Sequence, residues 1–144
     1  MDPVEMRRRG AEILEAVIAA HGFTFEAGEI GKGSGGAFAQ GAFVHGKRRL
    51  EFSTRHSLGL VQYRLGPSFV SHEDYMRVAA GSGNHAYPGF SDDPLDGFRH
   101  LASDLQHFAT VFLKGSDEQF VALAADAQKA RPKRGLSALN PRAS

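Results

Sequence analysis

Hydrophobic residues recur with two different periods along this chain, and the change of period divides it into three stretches. In residues 3–21, apolar positions such as Leu14 and Ile18 follow the spacing of a helix with one buried side. In residues 23–66 the period falls to two, which is typical of half-buried strands. Helical spacing returns in residues 72–130. This order favours an α+β domain, with an antiparallel sheet covered by helices.

The middle stretch predicts four strands joined by short connections. They are expected at residues 23–30, 37–44, 47–54 and 60–66. Because the connections are too short for a crossover, the strands have to form an antiparallel meander. A two-residue turn at His45-Gly46 would place Ala39 opposite Phe52.

Capping signals bracket four helices, one before the sheet and three after it. Each helix begins with an N-cap residue and, three positions later, an acid or amide that completes a capping box. The pairs are Asp2 with Glu5, Ser71 with Asp74, Asp93 with Asp96, and Ser116 with Gln119. Stop signals are expected at Gly22, Gly81, Gly115 and Pro132. The predicted fold is therefore a four-stranded antiparallel meander, with an N-terminal helix at 3–21 and three C-terminal helices at 72–80, 94–114 and 117–130 packed on one face.

Size and composition indicate one globular domain. The chain has 144 residues, of which 42% are hydrophobic and 23% charged. We predict a single domain at residues 1–130 and a basic, flexible tail at 131–144. The net charge is +1, but residues 1–126 carry 12 basic and 16 acidic side chains, a net charge of −4. An acidic body argues against nucleic acid as the main partner.

The chain has no cysteine, which excludes disulfides and thiolate chemistry and fits a reducing compartment. It has no apolar run long enough to cross a bilayer. These features predict a cytoplasmic protein that does not associate with membranes.

One flank of the predicted helix 94–114 carries candidate metal ligands. His100, Asp104 and His107 lie at successive helical turns, so that two imidazoles and a carboxylate share one side. The pattern lacks the H-E-x-x-H arrangement of zinc hydrolases. A divalent metal at these residues would define a small metal-dependent hydrolase, with His85 or Asp92 assisting. Without it, no cofactor is expected.

Two further surfaces are candidates for binding. The polar face of the sheet carries Arg49, Glu51 and Arg64, with Glu51 and Arg64 as expected cross-strand partners. The loop between residues 81 and 93 contributes His85, Tyr87 and Asp92. Ordering a loop of that length costs backbone entropy, which is recovered only if it folds onto something.

The segments Leu58–Gly66 (LGLVQYRLG), Ser71–Arg77 (SHEDYMR) and Tyr87–Leu101 (YPGFSDDPLDGFRHL) resemble small uncharacterised bacterial α+β proteins, of the kind grouped as domains of unknown function. That resemblance implies no activity. A helix followed by a four-stranded meander is also similar, at the level of the fold, to some toxin-immunity proteins.

The sequence therefore favours a non-enzymatic, cytoplasmic protein-binding or regulatory domain, with an immunity-like role as one form of it. The metal-dependent hydrolase is the alternative. A homodimer that packs the flank of helix 94–114 against itself is a third interpretation.

Overall fold

The computed structural model describes residues 1–81 and 92–130. Within these ranges the chain forms a five-stranded antiparallel sheet and five α-helices. The helices are α1 (Pro3–Ile18), α2 (His72–Ala79), α3 (Asp96–Phe108), α4 (Thr110–Lys114) and α5 (Asp117–Ala130), and the strands are β1 (Thr24–Gly33), β2 (Gly36–His45), β3 (Arg48–Thr54), β4 (Leu58–Leu65) and β5 (Ser68–Ser71). The strand order is β1-β2-β3-β4-β5, so the predicted α+β class and antiparallel meander are confirmed. Of the helices described, none has the length and apolar character needed to cross a membrane.

The prediction of four strands is wrong, because a fifth strand follows the turn after β4. In β5, Val70 pairs with Tyr63 and Phe69 pairs with Arg64. Val70 is buried, whereas Phe69 is 46% exposed, as alternation across a sheet requires. Four residues are too few for that alternation to stand out in the sequence.

The hairpin between β2 and β3 has a different turn from the one predicted. His45 pairs with Arg48, so the loop is Gly46-Lys47, and Ala39 lies opposite Thr54 instead of Phe52. Gly46 has φ +61°, a left-handed conformation that glycine adopts without strain. Because the register differs from the predicted one by two residues, every side chain keeps its predicted face.

The helix predicted at 94–114 is two helices, so four helices, and not three, follow the sheet. The two helices are separated at Ala109. There the side chain of Tyr75, a residue of α2, lies between backbone groups of α3 and α4. Its hydroxyl donates to the carbonyl of Phe108 and accepts from the amide of Phe112, both at 3.3 Å. A tertiary contact thus replaces helical hydrogen bonds at a position without proline or glycine.

Most of the predicted capping interactions form. Ser116 and Gln119 make the complete reciprocal box, at 3.1 and 2.8 Å. The side chains of Asp2 and Ser71 each accept the amide three residues later. Asp93 differs, because its carboxylate accepts from the amide of Leu95 in a turn, and α3 begins only at Asp96.

The helices pack on one face of the sheet. A cross-strand row of buried residues, made of Phe43, Leu50, Tyr63 and Val70, runs through the middle of that face. From the helix layer, the rings of Tyr75 and Phe112 lie 4.7 and 4.6 Å from that of Tyr63, while Phe98 packs edge-on against Phe52. Helix α1 covers β2 and β3 and also packs against α3.

Two contacts hold the layers in place. Gly10 of α1 faces the buried ring of Phe98 so closely that a Cβ there would lie 2.4 Å from it. Arg48, at the start of β3, reaches the junction of α4 and α5. Its guanidinium donates to the carbonyls of Phe112 (2.7 Å) and Gly115 (2.6 Å) and pairs with Asp117 at 3.0 Å.

Candidate binding site on the open face of the sheet

The face of the sheet turned away from the helices, called the open face below, carries the predicted polar residues. Two cross-strand rows define it. The first contains Val44, Arg49, Arg64 and Phe69, and the second contains Ala42, Glu51, Gln62 and Ser71. The sequence pattern thus assigned Arg49, Glu51 and Arg64 to the correct face, because the period of two fixes which side chains share a side.

Glu51 is the centre of a hydrogen-bonded network on the open face. Its Oε1 accepts from Gln62 Nε2 at 2.8 Å and from Arg64 Nε at 3.4 Å, so the predicted cross-strand pairing with Arg64 is confirmed. Its Oε2 accepts from Arg49 Nε at 3.0 Å. Arg49 also donates from Nη1 to Glu26 Oε1 at 3.2 Å. The network connects β1, β3 and β4 and fixes the orientation of both guanidinium groups.

The network favours the charged forms of Glu51 and Arg49. Burial alone would raise the pKa of Glu51, but the hydrogen bonds from Gln62, Arg49 and Arg64 outweigh it and leave the pKa below its usual value. The hydrogen bond to Glu51 raises the pKa of Arg49. Glu51 is therefore a carboxylate shared by two fixed cations.

A cavity of about 270 Å³ lies beside this network. Arg49, Glu51 and Gln62 line one part of it, and its other polar lining residues include Gln40 and Ser53. The remaining described lining residues are Glu26, Ala27, Gly28, Gly41, Ala42, Phe52 and Leu60. Several of these are small, so the sheet has few side chains to fill the hollow, and Leu60 is 64% exposed.

A β-bulge in β1 helps to shape the cavity. Ala27 pairs with Gly41 and Ile30 with Ala39, so β1 has one residue more than β2 in that interval. The buried side chain of Arg7 donates to the carbonyls of Gly28 at 3.4 Å and Gln40 at 3.0 Å. A residue of α1 therefore holds the backbone that borders a cavity on the other side of the sheet.

The lining of the cavity offers groups suited to recognition. Its described lining residues include one hydroxyl, that of Ser53, and no histidine. They lack the pairing of nucleophile and base that a hydrolytic site of the serine type requires. They do offer fixed charges, amides and apolar surface, which are the usual components of a recognition site.

The structure does not gather the predicted metal ligands. Asp104 Oδ2 lies 2.9 Å from Nε2 of His72, a residue of α2. His107 Nδ1 lies 2.8 Å from the backbone oxygen of Ser103. Within residues 1–81 and 92–130, no group of three His, Asp or Glu side chains has an arrangement that could hold a metal ion. The metal site on that flank remains a prediction from the sequence alone.

The loop candidates lie mostly outside the part of the chain that the structure describes. His85 and Tyr87 lie outside the described residues, as does the basic tail at 131–144. Asp92 is described and is exposed. Of the predicted binding residues, the structure therefore brings together Arg49, Glu51 and Arg64.

The sequence pattern missed a buried polar chain in the helix layer. The hydroxyl of Tyr63 lies 2.6 Å from Nδ1 of His72, and Nε2 of His72 faces Asp104. His72 and Asp74, in the first turn of α2, are both buried. No local signal could reveal the chain, since Asp104 comes 32 residues later.

We expect the hydrogen bonds that connect Tyr63, His72 and Asp104 to stabilise the fold. Replacing His72 with phenylalanine keeps a ring but removes the bonds to Tyr63 and Asp104, and should lower the free energy of unfolding by about 2 kcal/mol. His107→Phe on the exposed side of α3 is the matched control, with an expected change within about 0.5 kcal/mol. Urea denaturation measures both. Equal losses of stability at the two positions would show that the hydrogen bonds of His72 contribute nothing specific.

Comparison of the chain with family models, with curated proteins and with solved structures gives no significant match. The resemblance to uncharacterised bacterial proteins accordingly stays a prediction.

Proposed function

We propose that this protein is a non-enzymatic binding domain that engages a protein partner through the open face of its sheet. The observation that carries this proposal is the cavity of about 270 Å³ beside the network of Arg49, Glu51 and Arg64. Such a cavity accepts a side chain or a short loop of another protein, while the network offers charged groups at its border.

The surroundings of the cavity have the composition of an interaction surface. Leu60 is 64% exposed and Phe69 is 46% exposed beside the polar groups of the open face. Arg64 stacks on Phe69, with Cζ 5.1 Å from the ring centroid. Aromatic residues and arginines are enriched where proteins bind each other, and they supply most of the binding energy at such sites.

The open face is already ordered before binding. Its backbone is held by the strand ladders, and its arginines are fixed by Glu51 and Phe69. A partner would therefore lose little free energy to the ordering of these side chains. Partners that bind such a surface usually dock without rearranging it.

A regulatory role follows from binding without catalysis. The domain would act by occupying or masking a surface of its partner, in the bacterial cytoplasm that the composition and the resemblance suggest. Inhibition of a bound toxin is the specific form that we propose, by analogy with the immunity proteins to which the sequence pattern of a helix and a meander is similar.

Site-specific photo-cross-linking tests this function. A photoreactive phenylalanine analogue at Leu60 or Phe69 should form an adduct with one distinct protein in cells that contain the natural partner. The matched control is Val4 of α1, which is also apolar and is 40% exposed away from the open face. Arg64→Glu should abolish the adduct at Leu60. Adducts at Val4 but at neither sheet position would place the interaction on another surface and contradict the proposal.

A further inference from the structure

We infer that Arg49 and Arg64 form a carboxylate-binding site, which takes an acidic side chain of the protein partner. This inference rests on the proposed binding function and names the chemistry that the partner must present. Three observations support it: the position of the two arginines, their N–H donors that make no hydrogen bond to the described residues, and the charge around them.

The two arginines are direct neighbours on adjacent strands. Arg49 and Arg64 are Cα partners in the ladder between β3 and β4, so their side chains leave the sheet side by side. Like charges directly opposite each other destabilise a sheet. Glu51 offsets this repulsion by accepting from the Nε of both. Two guanidinium groups are thereby held at one place by one carboxylate.

Both guanidinium groups keep donors available. Within the part of the chain that the structure describes, Arg64 uses Nε and Arg49 uses Nε and Nη1. Both Nη groups of Arg64 and Nη2 of Arg49 make no hydrogen bond to these described residues. The side chains are 34% and 36% exposed, so solvent and ligands can reach them. Paired N–H groups of a guanidinium match the two oxygens of a carboxylate.

The surrounding charge favours a single carboxylate over a phosphate or a nucleic acid. Glu26 and Glu51 balance Arg49 and Arg64, so the four groups together are neutral. Residues 1–126 carry a net charge of −4, which repels polyanions. A monoanion needs only to replace Glu26, whose side chain is 60% exposed and whose bond to Arg49 is a weak surface pair. The stem of the partner's side chain would then lie over the adjacent cavity.

Binding of a short fluorescent peptide with a single glutamate among glycines tests the inference, with the same peptide carrying lysine in place of glutamate as the probe of opposite charge. We expect the full chain to bind the glutamate peptide only. Arg64→Gln should weaken binding about tenfold. Arg64→Lys should weaken it less, because lysine keeps the positive charge, although it lacks the paired N–H donors of the guanidinium. Glu26→Gln should strengthen binding about threefold, because the competing carboxylate is gone. Arg8→Gln, on the exposed side of α1, is the matched control and should leave binding unchanged.

Fluorescence anisotropy gives the affinities, and the NMR signals of the arginine Nε–H groups show whether Arg49 and Arg64 are the contacts. Equal affinity of the natural chain and of Arg64→Gln would overturn the inference. Displacement of the glutamate peptide by inorganic phosphate at lower concentration than by acetate would overturn the choice of a carboxylate. Cross-links at Leu60 without peptide binding would disprove the carboxylate site and leave the proposed function standing.

Discussion

Replacing Gly10 with alanine is expected to destabilise the protein by about 2 kcal/mol, although alanine is the better helix former. The added Cβ would lie 2.4 to 2.5 Å from three atoms of the Phe98 ring, and Phe98 is fully buried. Alanine gains about 1 kcal/mol of helix propensity over glycine, but relieving the clash requires α1 and α3 to move apart across a packed core. Chemical denaturation measures the balance of the two effects.

A second substitution isolates the cause. Phe98→Leu removes the ring and leaves a cavity beside Gly10, which should itself cost about 2 kcal/mol. In the double variant the alanine methyl enters that space, so the two losses should be clearly less than additive. Additive losses would mean that Gly10→Ala acts on something other than the contact between α1 and α3.

Replacing Arg48 with methionine is expected to cost about 3 kcal/mol of stability. The substitution removes charge-assisted bonds to the carbonyls of Phe112 and Gly115 and the ion pair with Asp117. Those carbonyls lie within α4 and directly after it, and this helix of five residues is too short to be stable alone. The loss should appear in urea denaturation, and amide exchange should quicken first in α4 and α5.

Lysine at position 48 is the informative comparison. It retains the charge, but one ammonium group on a flexible stem cannot reach two carbonyls and a carboxylate with the geometry of a guanidinium. We expect Arg48→Lys to recover less than half of the lost stability. Arg8→Met, at an exposed position on α1, should change stability by about 0.5 kcal/mol or less. If Arg48→Met behaves like Arg8→Met, the bridge between β3 and the α4–α5 junction is not a stabilising contact.

Local chemistry in the sequence was sufficient for much of the fold. The Ser116–Gln119 box forms as predicted because both partners lie within one turn. The sheet faces were correct for a similar reason, since alternation depends only on neighbouring residues. Even the mistaken hairpin turn left them unchanged, because the register moved by two residues.

The features that the sequence did not reveal depend on distant partners. Tyr75 breaks the predicted long helix from another element, and nothing near Ala109 signals the break. Strand β5 exists because β4 offers it an edge. Asp104 contacts His72 of α2 across the helix layer. A helical wheel of α3 alone shows Asp104 only as a polar residue on the flank of that helix.

The candidate site also combines features set by neighbouring residues with features set by distant ones. The alternation of side chains along the strands placed Arg49, Glu51 and Arg64 on one surface. The cavity beside them is bordered by the β1 bulge and by backbone that Arg7 of α1 holds. Neither leaves a periodic pattern in the sequence. The binding residues could therefore be predicted, whereas the shape that they border could not.

The packing of α1 against α3 has a consequence for biosynthesis. Each strand of the meander pairs with its neighbour in the chain, so the hairpins can close in order as they leave the ribosome. Helix α1 is made first, yet α3, which packs against it through Phe98, follows only after the whole sheet has been translated. During that interval the nascent chain exposes the side of α1 around Gly10 that packs against Phe98. This is the stage at which chaperones would have most to protect.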